Sequence, residues 1–275
     1  MSQKREDEIR QSVRDNYAEV ADAGDRDECC GVGRGCCGVA SDAQINAIDS
    51  SRLGYSENDR NAVPEGADLG LGCGNPRAIA SLKSGEIVLD LGSGAGFDAF
   101  LAAREVGDRG KVIGVDMTPA MVSKARSNAE KGDYPNVDFR LGEIEYLPVA
   151  DASVDIIISN CVINLSPDKP QVFKDAFRVL KPGGRLAISD VVASAELPEK
   201  IRSDLALRSA CVAGAVTVDK LHAIIAAAGF IDIRIAPKDE SREFIQDWAP
   251  GTNVENFVVS AIIEARKPGN TTPDG

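Results

Sequence analysis

Apolar positions along the chain change their spacing several times, and each change predicts an element. Ile9, Val13, Tyr17 and Val20 recur every three or four residues, which predicts one amphipathic helix over residues 4–22. Its apolar face can serve packing against the main body or a lid in which Tyr17 stacks on a ligand, and packing is favoured. Residues 39–76 are polar and turn-rich, ending in Leu69-Gly70-Leu71-Gly72-Cys73-Gly74-Asn75-Pro76. Short apolar runs then alternate with helical patterns. Strands are expected at 87–90, 111–117, 137–141, 153–161 and 185–190, with helices at 97–106, from Pro119 onward and at 171–180. The run Ser153–Cys161 is apolar on both faces, as a central strand of a parallel sheet must be. Strand and helix in alternation predict an α/β fold with helices on both faces of the sheet.

Beyond Asp190 the pattern shifts. One helical segment is expected over 198–215, another over 219–228 stopped by Gly229, and strands over 231–235 and 256–265. The chain therefore divides into an N-terminal helix with a cysteine-rich segment (1–76), a sheet domain (77–192), a C-terminal α+β lobe (193–266) and a disordered tail (267–275).

The stretch Glu86–Phe97 organises the rest. A buried strand ends in Asp90, and Gly92, Gly94 and Gly96 follow at alternate positions before a helix. Glycines in such a turn allow tight bending, close approach of backbone N–H groups to a ligand, and tight helix–strand packing, so the turn reads as a nucleotide-like cofactor site. Asp116 and Met117 close the second strand. Asp116 falls twenty residues after Gly96, where such sheets place an acid on the ribose hydroxyls. Its plainer alternative is to cap the helix that starts near Pro119. The loop Gly142-Glu143-Ile144-Glu145 follows the third strand and should lie beside the cofactor's base. The fourth strand delivers Asn160 and Cys161 to the ligand crevice.

Charge and cysteine usage narrow the chemistry. A net charge of −12 argues against nucleic acid and against an anionic membrane surface. There is no apolar run long enough to span a bilayer and no signal-like N-terminus, so a cytoplasmic protein is expected. In that setting the seven cysteines (Cys29, Cys30, Cys36, Cys37, Cys73, Cys161 and Cys211) read as metal-binding, redox or catalytic thiols. The loop Cys29–Cys37 lacks the usual zinc-ligand spacing, which favours mobile exchange thiols over a zinc knot. Cys73, between two glycines, is expected on a bent and exposed backbone. The single histidine, His222, leaves little room for imidazole-based catalysis.

The glycine turn, Asp90, Asp116 and the Lys181-Pro182-Gly183-Gly184 turn together resemble a class I S-adenosylmethionine (SAM) methyltransferase with its Rossmann-like sheet, over residues 78–190. A narrower resemblance runs from residue 65 to 265. Gly70–Pro76, Gly142–Glu145, Ser159-Asn160-Cys161-Val162-Ile163-Asn164-Leu165-Ser166-Pro167-Asp168-Lys169 and Cys211–Ala215 are similar to the arsenite methyltransferase family. That resemblance implies SAM as cofactor, bound by Asp90, Gly92, Gly94, Gly96, Asp116, Met117, Glu143, Ile144 and Asn160. It implies As(III), arriving as a thiol adduct, on Cys161 and Cys211 with Cys73 as third reactive cysteine, and residues 193–266 as an arsenic-binding lobe. The family's N-terminal cysteine falls among Cys29, Cys30, Cys36 and Cys37, with Cys30 joining the catalytic set. Thioredoxin or glutathione is the implied reductant.

The chemistry is coherent on its own terms. Soft As(III) prefers thiolate to oxygen. Three sulfurs leave the arsenic lone pair pointing away from them, so methyl transfer is an in-line displacement needing no general base. The chain's task is then positioning and exclusion of water. Reducing the methylated arsenic with neighbouring thiols leaves a disulfide, which the Cys29–Cys37 loop could resolve with Cys73. Two other readings stay open: a SAM methyltransferase for a small organic substrate, and a non-catalytic metalloid or zinc sensor.

Overall fold

A computed structural model describes residues 3–23, 48–249 and 251–270 of the chain. Cys29, Cys30, Cys36 and Cys37 lie outside them. Helix α1 (Gln3–Ala23) realises the first helical pattern and turns Ile9, Val13 and Ala21 inward. Two short helices follow, α2 (Glu57–Asn61) and α3 (Arg77–Ala80). The first of these starts on a capping box: Ser56 accepts from the Asp59 N–H, and Asp59 accepts from the Ser56 N–H.

The alternating region folds as β1 (Ile87–Leu91), α4 (Phe97–Val106), β2 (Lys111–Asp116), α5 (Pro119–Lys131), β3 (Val137–Leu141), β4 (Val154–Asn160), α6 (Lys169–Val179) and β5 (Leu180–Ala193). The C-terminal part adds α7 (Glu199–Arg202), α8 (Leu205–Ser209), α9 (Val218–Ala227), β6 (Ile231–Lys238), α10 (Arg242–Ile245) and β7 (Val258–Arg266). All seven strands join one sheet in the order β3-β2-β1-β4-β5-β7-β6. The pairs among β1 to β5 are parallel, and β7 runs antiparallel to β5 and β6.

Burial explains the layers. Leu89 and Ile157 point to one face, packed with Phe173 of α6 and Ile225 of α9. Val88, Ile156 and Ile158 point to the other, under Phe100 of α4. Strand order reverses between β1 and β4, which opens a crevice at their carboxyl ends.

Four expectations change. The strands at 231–238 and 258–266 do not form a separate lobe. They extend the main sheet, because β5 offers a free edge and Val191 and Val192 register against Ser260 and Val259 of β7. The helical segment 198–215 breaks into α7 and α8, since Asp204 caps a new helix by accepting from the Leu207 N–H at 3.0 Å. Strand β5 begins before the Lys181-Pro182-Gly183-Gly184 turn, which is absorbed as an irregularity in its pairing with β4. Lys267, where a loose tail is expected to begin, is held instead: its N–H bonds the Gly184 carbonyl at 2.8 Å.

Candidate active site

The carboxyl ends of β1, β2 and β4 and the inner face of α1 enclose a cavity of roughly 1340 Å³, counting space open to solvent. The turn after β1 forms one wall. Gly92 holds φ at +69°, and a β-carbon there would meet Val162 Cγ2 at 2.1 Å, so the backbone must be bare to pass that side chain. The N–H groups of Gly92 and Ser93 bond the Val115 carbonyl at 2.8 and 3.1 Å. The Ser93 hydroxyl is buried against the cavity with no partner among the described residues.

Asp116 accepts from the Gly94 N–H at 3.0 Å and from the Thr118 N–H at 2.8 Å. Thr118, not Asp116, is the cap residue of α5, so the capping alternative fails as first stated. Asp90 is 3% exposed. Burial first, then the charges of Asp98 and Asp116, raise its carboxyl well above the ordinary range. Met117 and Ile144 line the cavity. Glu143 does not: it pairs with Arg14 at 2.8 Å and Arg10 at 3.5 Å on α1. Its neighbour Glu145 takes the cavity position, 2% exposed, accepting from the Ser166 hydroxyl at 2.6 Å.

The three expected cysteines converge: Cys161 and Cys211 line the cavity, and Cys73 is buried beside Cys161. Cys73 and Cys161 sulfurs and one Asp190 carboxylate oxygen all lie within 4.8 Å of one another. The Cys211 thiol donates to the Cys161 carbonyl at 2.6 Å. All three are free thiols and buried. Contrary to expectation, Cys73 is 2% exposed. Its glycines serve close approach: a β-carbon on Gly72 would come within 2.8 Å of the Asn160 amide, and that amide secures the loop. Asn160 accepts from the Cys73 N–H at 3.0 Å and donates to the Gly74 carbonyl at 2.7 Å. Thus Asn160, expected at the cofactor, holds Cys73 in place.

Burial pushes the Cys73 thiol up, helped by the nearby Asp190 charge, and pushes Cys161 up further beside the other two sulfurs. Both groups rest as neutral thiols. Cys161 and Cys211 have φ of +58° and +62°, a left-handed backbone that non-glycine residues seldom adopt.

Sequence reasoning missed Asp98, Tyr55 and Asp190. The Tyr55 hydroxyl donates to Asp98 at 2.6 Å, and Asp98 also accepts from Asn160 at 3.3 Å. Asp190 accepts from the Ile163 and Val191 N–H groups and from the Asn164 amide, each at 2.8 Å. A signal existed for Asp190, since β1, β2 and β5 each carry an aspartate near the crevice end. His222 is exposed, far from a catalytic setting.

A methyltransferase-domain family model matches residues 82–229. An arsenite methyltransferase of Halobacterium salinarum is 57% identical over 269 residues, covering 95% of this chain and 67% of that protein. One from Aquipseudomonas alcaligenes is 43% identical over 62% of this chain and 51% of its own length, so the chain spans only half to two thirds of these relatives. The crystal structure of an arsenic(III) S-adenosylmethionine methyltransferase from Chlamydomonas reinhardtii superposes with a TM-score of 0.62 at 35% identity, covering 82% of this chain and 76% of that one.

Proposed function

This chain belongs to the arsenite S-adenosylmethionine methyltransferase family, and we propose that it moves the methyl group of SAM to trivalent arsenic held by Cys73, Cys161 and Cys211. The observation that carries the reading is the meeting of three buried free thiols from three distant parts of the chain: the Cys73 and Cys161 sulfurs lie within 4.8 Å of each other, the Cys211 thiol bonds the Cys161 carbonyl, and Cys161 and Cys211 line the cavity that also holds the glycine turn.

The cavity suits the cofactor. Asp116 stands at the strand end where ribose hydroxyls are bound, and the partnerless Ser93 hydroxyl gives a ligand a hydrogen-bonding group to meet. Asp90, the Gly92–Gly96 turn, Met117 and Ile144 complete that wall. SAM supplies, when bound, an electrophilic methyl group to the arsenic lone pair, a displacement with no proton in flight.

The neutral Cys73 and Cys161 thiols fit the loading step. Arsenous acid condenses with three thiols, each thiol proton leaving with a hydroxide as water, so no buried thiolate need exist beforehand. The left-handed backbone at Cys161 and Cys211 fixes the direction of both side chains, and Asn160 fixes the loop of Cys73. Val13 and Tyr17 of α1 cover the opening and exclude water.

Methylation raises arsenic formally to the pentavalent level. Two cysteine sulfurs give up two electrons to return it to the trivalent state and join as a disulfide. Thioredoxin or glutathione then restores the thiols in a cytoplasmic setting, with Cys30 or a neighbouring cysteine relaying the exchange.

Purified protein given SAM, arsenite and a thiol should produce methylated arsenic by chromatographic speciation. Cys161→Ser and Cys211→Ser should each lower the rate by about 100-fold or more, the scale of a lost positioning contact at the reacting atom. Native turnover in both variants, or no methylated arsenic from the native chain, contradicts the reading.

A further inference from the structure

A second cavity shares the Ser166-Pro167 wall with the cysteine cavity and opens on its other side. Two cations line it deep in the fold: Lys169 is 7% exposed and Arg208 is 8% exposed. Neither makes an ion pair among the described residues. Among the described residues Arg208 has one long hydrogen bond, to the Asn164 carbonyl at 3.4 Å, and the Lys169 ammonium has none. The carboxylate that most favours the charged lysine is Asp190, and its oxygens already accept from Ile163, Asn164 and Val191. The mouth adds Arg5 and Lys220 against Glu8 and Glu196, while Glu199 is already paired with Arg202.

A surplus of buried positive charge is out of place in a chain whose net charge is −12. Removing one cation from water without a counter-charge is costly, and setting two side by side is costlier. Burial first, then the neighbouring Arg208 charge, pulls the Lys169 ammonium down to about 8. The lysine is therefore still mostly charged at neutral pH. It also ends the segment Ser166-Pro167-Asp168-Lys169, which the proposed chemistry leaves without a task.

We propose that this cavity binds a small anion by a carboxylate or phosphate group, with Lys169 and Arg208 meeting its oxygens. The guanidinium offers a planar fork of donors and the ammonium a compact charge, a pair suited to a group of two or three oxygens. The site is separate from the cysteine wall, and its occupancy depends on neither arsenic nor SAM.

The test is thermal unfolding and calorimetric titration of the full chain at constant ionic strength, without arsenic or SAM. Inorganic phosphate and succinate are the probes, and chloride is the control. One of the probes should raise the unfolding temperature saturably at millimolar concentration while chloride does not; which one does so tells phosphate from carboxylate recognition. Lys169→Met should weaken that binding by about tenfold or more, the loss expected when a charge-assisted contact is removed. The variant itself should unfold no earlier than the native chain, because it removes a buried charge without a partner. Arg208→Met gives a second, independent reading of the same loss. Absence of saturable binding in the native chain, or binding in both variants as tight as in the native chain, overturns the proposal.

Discussion

Cys161 and Cys211 are held at φ of +58° and +62°, where a side chain costs roughly 1–2 kcal/mol relative to glycine. Glycine at either position would relieve that strain and lose, relative to alanine, one buried methyl group worth about 0.8 kcal/mol. Strain relief is the larger effect. Cys161→Gly and Cys211→Gly should therefore be at least as stable as the alanine variants by urea midpoint, although neither can hold arsenic there. Alanine variants more stable by 1 kcal/mol or more, about the size of the strain itself, would show that the backbone is not strained. The same scale yields a pH prediction. Burial raises Asp98 to about 6, only partly offset by its bonds from Tyr55 and Asn160. An acid whose folded value lies above its unfolded one near 3.8 binds more protons in the folded state. Its contribution thus makes the protein gain stability as pH falls from above 6 toward 4. Asp98→Asn should flatten the urea midpoint over that window, and an unchanged slope would remove Asp98 from the account. Which residues to single out was partly legible: Cys161 and Asp116 stand at the ends of their expected strands, whereas Cys211 falls in the expected helical stretch 198–215 and is singled out only by the family resemblance. Cys73 was misjudged because glycine signals a bend without telling exposure from close approach. Tyr55 and Asp98 carry no local signal, since they meet across 43 residues of chain.

Helix α1 shows what element-level patterning reveals and what it leaves out. Its three-and-four spacing gives the helix and its buried face. Only the fold shows that Arg10 and Arg14 reach the loop after β3, pairing with Glu143 and Glu145. The packed face and the cavity wall are one surface, because the face that buries Val13 also lines the cavity. Partly exposed pairs of this kind contribute up to about 1 kcal/mol. Glu143→Gln should therefore speed tryptic cleavage within α1 by about two- to fivefold and leave the global unfolding temperature nearly unchanged. A cleavage rate equal to that of the native chain would mean that Glu143 does not hold the helix. The segment 198–215 shows the opposite failure. Helical composition ran on, and a single capping residue, Asp204, divided it.

At the scale of the molecule, the alternation of strand and helix was enough to give the parallel sheet and the side on which a ligand binds. The C-terminal strands could not be placed the same way, because nothing local in 231–266 says whose edge they join; the free edge of β5 decides that. Only the closed sheet brings residues 73, 161 and 211 together, and the account stands or falls on that meeting. Its most direct test is arsenic X-ray absorption on the protein loaded with one equivalent of arsenite, with Cys29, Cys30, Cys36 and Cys37 replaced by serine to remove competing thiols. The account predicts three sulfur neighbours around arsenic, falling to two when Cys73, Cys161 or Cys211 is changed to serine. Oxygen-dominated coordination in the chain that keeps all three cysteines, or a sulfur count indifferent to their loss, would contradict it.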